Sequence, residues 1–111
     1  HTVRKLALAF PEVEEGTSYG TTAFRIRKKL LARMHEDGVT LILKMDYETR
    51  DFLLQVNPGV YYVTDHYRSY PYVLLRLSEI DPKELQKRLE HAWKSCAPKR
   101  LAEAYDQGSD T

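Results

Sequence analysis

Residues 23–44 read AFRIRKKLLARMHEDGVTLILK, and this stretch decides the fold. From Ala23 to Arg27 apolar and basic residues alternate. Phe24 and Ile26 fall on one face and Arg25 and Arg27 on the other, the period of a half-buried strand. A turn near Lys28-Lys29 leads into a second strand over residues 30–35. Glu36-Asp37-Gly38 makes the next turn, since Asp-Gly supplies the positive φ that tight hairpins need. Residues 39–44 are then a third strand, which completes an antiparallel meander.

Outward from the meander the patterns are helical and extended in turn. Val3, Leu6, Ala7 and Phe10 recur at helical spacing after Thr2, and Pro11 ends the run. Residues 12–20 hold three acids and two glycines and read as a loop. Beyond the meander, Asp46 is placed to cap a helix reaching Val56, with Thr49, Phe52, Leu53 and Val56 on one stripe. Asn57-Pro58-Gly59 stops that helix. Residues 60–64 and 72–77 read as two more strands, joined by a polar, aromatic loop. Asp81, Pro82 and Glu84 form a capping-box-like start to a long helix lined by Leu85, Leu89, Ala92, Trp93 and Cys96. After Pro98, the residues Leu101, Ala104 and Tyr105 mark one further helical piece, and residues 107–111 a flexible tail.

The expected architecture is therefore α+β: an antiparallel sheet of about five strands with helices packed mainly on one face. Residues 1–106 form one domain, as a length of 111 residues allows. Composition is globular, with 42% apolar and 30% charged residues. No apolar run reaches the roughly 20 residues of a membrane span, so no membrane partner is expected. A single cysteine, Cys96, cannot close an internal disulfide and reads as an apolar helix residue, which points to a reducing, cytoplasmic setting.

Catalytic signatures are not visible. His1, His35, His66 and His91 lack metal-ligand spacing, there is no cysteine pair, and the five glycines form no phosphate-cradling loop. No enzyme activity, metal or cofactor is expected, which leaves binding as the function to be sought.

Two groups of residues stand out for binding. Net charge is only +1, yet residues 22–44 carry six basic and two acidic side chains. Such a segment is a footprint for phosphates or a solvated hairpin. At its tip, Arg27-Lys28-Lys29 occupies a turn where Asn or Gly is usual, and lysine at positive φ costs about 1 kcal/mol. A longer turn would carry these lysines without strain. A two-residue turn at Lys28-Lys29 sets Ile26 opposite Leu31 and Arg25 opposite Ala32, and a change of one residue reverses the faces. Arg25, Arg27, Lys28 and Lys29 are taken as one exposed group, with Arg33 left open.

The second group is Asp65-His66-Tyr67-Arg68-Ser69-Tyr70-Pro71-Tyr72. Tyr67, Arg68 and Tyr70 offer flat faces and polar tips that could stack on bases or hold a peptide. Packing over the sheet edge is the structural alternative. A weaker set, Lys94 with Pro98-Lys99-Arg100, is explained by the helix dipole at a C-terminus.

Several stretches together resemble the MmcQ/YjbR-like family of small bacterial proteins. They are Phe10-Pro11-Glu12-Val13 with Glu15-Gly16, Phe24-Arg25-Ile26-Arg27-Lys28-Lys29, His66-Tyr67-Arg68, and Ala92-Trp93 with Pro98-Lys99-Arg100. The resemblance implies a secretion-chaperone-like, double-wing α+β fold and a DNA-binding role through a basic hairpin wing. This sequence departs from the family pattern at Lys28, where glycine is common, and at Tyr72, where tryptophan is. The alternative function is a non-enzymatic adaptor that binds a protein or peptide along a sheet edge or the tyrosine-rich loop.

Overall fold

The structure, a computed structural model, describes residues 2–109, with side chains through residue 107. Among these residues the order is α1 (Thr2–Leu8), β1 (Val13–Ser18), β2 (Thr21–Ile26), β3 (Lys29–Met34), β4 (Thr40–Lys44), α2 (Tyr47–Val56), β5 (Tyr61–Tyr62), β6 (Tyr72–Arg76), α3 (Pro82–Cys96) and α4 (Lys99–Ser109). The six strands form one sheet in the order β1-β2-β3-β4-β6-β5, antiparallel throughout. Helices on one face cover the apolar side of the meander. The α+β reading holds, with one strand more than expected.

That extra strand is β1. Its sequence VEEGTS lacks the apolar alternation by which a strand is recognised, because β1 is an edge and most of it faces solvent. Backbone pairing with β2 is sufficient to hold it extended, from Val13 opposite Ile26 to Ser18 opposite Thr21. Tyr19 and Gly20, both at positive φ (52° and 80°), close the two-residue hairpin between them.

The next hairpin also differs from expectation. Ile26 pairs with Lys29, so the turn residues are Arg27 and Lys28, at φ 48° and 73°, one position earlier than read from sequence. A bulge between Phe24 and Arg25 then shifts the register, bringing Phe24 opposite Ala32 and Ala23 opposite Arg33. The β3–β4 turn is as expected: Gly38 takes φ 74°, and the Asp37 carboxylate accepts from the Val39 and Thr40 amides at 2.9 and 3.0 Å.

The core lies between the sheet and α1 and α3. Phe24, Ile26, Leu31, Leu41, Leu43, Val73 and Leu75 meet Leu85, Leu89, Ala92, Trp93 and Cys96, all buried. Trp93 is fully enclosed, its ring near Phe10 (5.9 Å) and Tyr105 (4.9 Å), and its indole N–H donates to the Pro11 carbonyl at 2.9 Å. This one side chain ties α3 to the start of the sheet and to α4.

Smaller differences have local causes. Asp46 caps α2 by accepting from the Thr49 amide at 2.9 Å. Asp81 makes no such bond, and the Glu84 carboxylate, the other half of the expected capping box, accepts from the Tyr61 hydroxyl (2.7 Å) and Arg88 (2.9 Å). The stripe expected on α2 is rotated: Leu53 is buried with Arg50, while Phe52 and Val56 are exposed. In α4 Ala102 packs against the core and Ala104 is exposed. Residues 107–109 of the expected tail continue this helix; residues 110–111, like His1, lie outside the described residues.

Candidate functional site

The β2–β3 tip displays three exposed cations in a row, Arg27, Lys28 and Lys29. They are not equivalent. Arg27 forks onto Glu12, with Nε–Oε1 at 2.7 Å and Nη2–Oε2 at 3.1 Å. That hydrogen bond holds the Glu12 carboxyl below the usual range and raises Arg27. Arg25 is half-buried beside β1, where Glu14 is its cross-strand partner, and its guanidinium donates to the Thr17 carbonyl at 3.2 Å. Glu12, just before β1, therefore offsets Arg27, just after β2, while Glu15 of β1 is paired with Arg4. Lys28 and Lys29 have no carboxylate partner among the described residues, and they remain the open charges of the tip.

Further cations lie at the same end of the sheet. Lys29 opens β3 and Lys44 closes its antiparallel neighbour β4. The C-terminal half of α3 sits over this end, as shown by the Trp93–Pro11 bond and by Ser95 facing Lys44 and Pro71 across a cavity. α4 then begins with Lys99 and Arg100, both exposed. Lys94 is paired with Asp106 at 2.8 Å.

The aromatic loop is built differently. Arg50, only 5% exposed, reaches from α2 and donates to the carbonyls of Tyr67, Arg68, Tyr70 and Tyr72 at 2.9–3.2 Å. One guanidinium thus satisfies four loop acceptors, which no neutral side chain at this position would do. Arg33, also buried, donates to the Tyr67 hydroxyl at 2.9 Å, to Thr21 at 3.1 Å and to Glu36 at 2.9 Å. Burial opposes its charge, and the bonds from Tyr67 and Glu36 outweigh that, so its pKa is raised. Tyr67 is half-buried against His66 and Tyr72. Arg68 is exposed with a single 3.5 Å contact to Asp65, and Tyr70 is 54% exposed.

Of the two buried arginines, the sequence leaves the face of Arg33 open and gives no reading of Arg50. Arg33 was left open because its face depended on register; the bulge puts it with Ala23 and away from the core. Arg50 carried a usable signal, since it lies three positions before Leu53 on the buried side of α2 and a charge there needs internal partners. Tyr47 was also passed over: it is 45% exposed, its hydroxyl donates to the Ser69 carbonyl at 2.7 Å, and Arg50 sits 4.9 Å from its ring centre. No group of three or more His, Cys, Asp or Glu among the described residues could hold a metal ion, and no described helix is long and apolar enough to cross a membrane.

Fold and surface together define a small α+β protein whose open features are a basic sheet end and an aromatic loop clamped from beneath. The chain belongs to the YjbR family, whose family model matches residues 8–95. It is 37% identical over 73 residues to uncharacterized proteins Mb2600 of Mycobacterium bovis and Rv2570 of Mycobacterium tuberculosis, covering 66% of this chain and 49% of theirs. The chain thus spans about half the length of the curated relatives it matches. Its fold is similar to the crystal structure of Deinococcus radiodurans protein DR2400, of domain DUF419, with a TM-score of 0.71 at 20% identity over 83% of this chain and 73% of that one.

Proposed function

We propose that this protein binds nucleic acid through phosphate contacts at the basic end of its sheet. What supports the reading most is the tip of the β2–β3 hairpin: Lys28 and Lys29 project without carboxylate partners among the described residues, from a turn whose positive φ at Lys28 costs lysine about 1 kcal/mol. Lys44, Lys99 and Arg100 extend the same end. Arg25 and Arg27 join as secondary contacts, because each must leave an internal partner. Tyr70 and Arg68 offer a stacking face and a further cation, while Tyr67 anchors the loop that carries them. Phosphate contacts position a protein without reading sequence, so binding is expected to discriminate little among sequences. The basic hairpin then acts as one wing of a double-wing, secretion-chaperone-like domain.

Fluorescence anisotropy with labelled duplex and single-stranded DNA at two salt concentrations tests this. Engaging about four phosphates gives a slope of log affinity against log salt of about −3.6 on duplex and about −2.8 on single-stranded DNA. Binding that is weak and insensitive to salt removes the proposal.

One observation favours a second reading, a protein- or peptide-binding adaptor. β1 is a six-residue edge strand, largely exposed, with no strand paired on its outer side among the described residues. Binding of that kind tolerates salt, and a stoichiometric protein partner recovered after nuclease treatment would distinguish it.

A further inference from the structure

Between α3 and the junction of β4 with α2 lies a half-open cavity of about 530 Å³. That volume is in the range of small-molecule sites, roughly 300–1,000 Å³. Its floor is apolar: Met45 and Ala92 are buried core residues, and Pro71 closes one side. Lys44, His91 and Ser95 stand at its rim.

Basic residues outnumber acidic ones in the lining: Asp46 is the one acid there, and its carboxylate stays negative while it accepts from the Thr49 amide and caps α2. Two more basic residues line the cavity, but both are engaged elsewhere: Arg88 with Glu84 and the Tyr61 hydroxyl, Lys94 with Asp106. Lys44 is half-buried and has no carboxylate partner among the described residues. His91 is exposed in the same lining as Asp46, whose carboxyl is held down first by the Thr49 amide and to a smaller degree by His91. An apolar floor with the Lys44 ammonium and the His91 ring at its mouth is complementary to one kind of occupant, a compact molecule with a flat or aliphatic body and a single anionic group.

We propose that this cavity is a binding site for such an amphipathic anion. The body is seated on Met45, Ala92 and Pro71, and the carboxylate, sulfonate or phosphate is held by Lys44 and His91. The site shares Lys44 with the basic end of the sheet, but neither the β2–β3 tip nor the aromatic side chains of the loop line it.

The test uses naphthalene-2-sulfonate as probe and its neutral analogue, 2-naphthylmethanol, titrated into the isotopically labelled full chain and followed by amide chemical shifts. Saturable shifts are expected at Met45, His91, Ala92 and Ser95, with the sulfonate binding at least tenfold more tightly than the alcohol. The double variant Lys44→Gln/His91→Gln should reduce sulfonate affinity tenfold or more and leave the alcohol unchanged. Ser95→Trp, at an exposed position on the rim, should block both probes while spectral dispersion confirms the fold. Equal affinity for the two probes, shifts centred on the exposed Phe52 and Val56 instead, or a double variant that binds like the parent would each overturn the proposal.

Discussion

The β2–β3 tip and the aromatic loop both bring basic side chains together with irregular backbone, yet the two solve opposite problems. At the tip the backbone is strained and two lysines have no carboxylate partner among the described residues. In the loop the backbone is supported from below, four of its carbonyls being held by the buried Arg50. What a cation does is decided by where its partners are. Arginines whose acceptors lie inside the protein serve its architecture, and the phosphate proposal rests on the lysines that lack such acceptors among the described residues.

Removing Arg50 is the severest way to break this contrast. Arg50→Ala leaves four carbonyls to be satisfied by water that must enter a packed region, and each buried acceptor left without a donor costs roughly 1–3 kcal/mol. Partial relaxation of the loop reduces the sum, so a loss of about 3 kcal/mol is expected in urea unfolding. Arg50→Lys should recover less than half, because an ammonium has no fork to span acceptors this far apart. If Arg50→Ala unfolds at the parent's midpoint, the loop is not clamped and its resemblance to a designed support is empty.

The matching perturbation at the tip should spare stability and strike binding. Lys28→Glu/Lys29→Glu reverses two exposed charges and breaks no internal bond, so unfolding should shift by no more than about 0.5 kcal/mol. DNA affinity should fall by at least tenfold, about 1.4 kcal/mol. The salt slope should lose about 1.8 if two phosphate contacts disappear. A variant that keeps its DNA affinity would show that the tip is merely solvated.

Legibility from sequence divides along the same line. The meander, α3 and the capped start of α2 were readable because period and caps are local signals: Phe24 and Ile26 alternate, Leu85, Leu89, Ala92 and Trp93 repeat, and Asp46 stands three residues before Thr49. β1 was not, since an exposed edge needs no apolar period and VEEGTS has none. Among site residues, the exposure of Lys28 and Lys29 followed from their place at a turn, whereas Arg25, expected to be exposed with them, is half-buried beside β1. The pairing of Arg27 with Glu12 did not, because it joins residues that only the β1–β2 register brings together. Arg33 turned on a bulge of one residue, a feature no alternation pattern records.

A milder test sharpens the loop's side of the contrast. Tyr67→Phe keeps the ring against His66 and Tyr72 and removes only the hydroxyl that accepts from Arg33. Arg33 retains Glu36 and Thr21, so the expected loss is about 1 kcal/mol, well below that of Arg50→Ala. Equal losses would place the loop's support in the hydroxyl network and not in the α2 guanidinium.

The smallest expected change is the most discriminating, because its two readouts should move in opposite directions. Lys28 holds φ 73°, a conformation glycine adopts freely and an L-residue with a Cβ does not. Lys28→Gly therefore relieves strain at the second position of a two-residue turn. The gain is about 1 kcal/mol, less the greater freedom glycine has in the unfolded chain, for a net stabilisation of about 0.5 kcal/mol. The same substitution deletes one unpaired cation, so DNA affinity should fall severalfold and the salt slope by about 0.9. A chain that becomes more stable and binds less well would mean that lysine is kept at this position against the preference of its own backbone. If stability rises and binding is untouched, the strain at Lys28 has no counterpart in DNA affinity, and the phosphate reading of the tip must pass to Lys29, Lys44 and the start of α4.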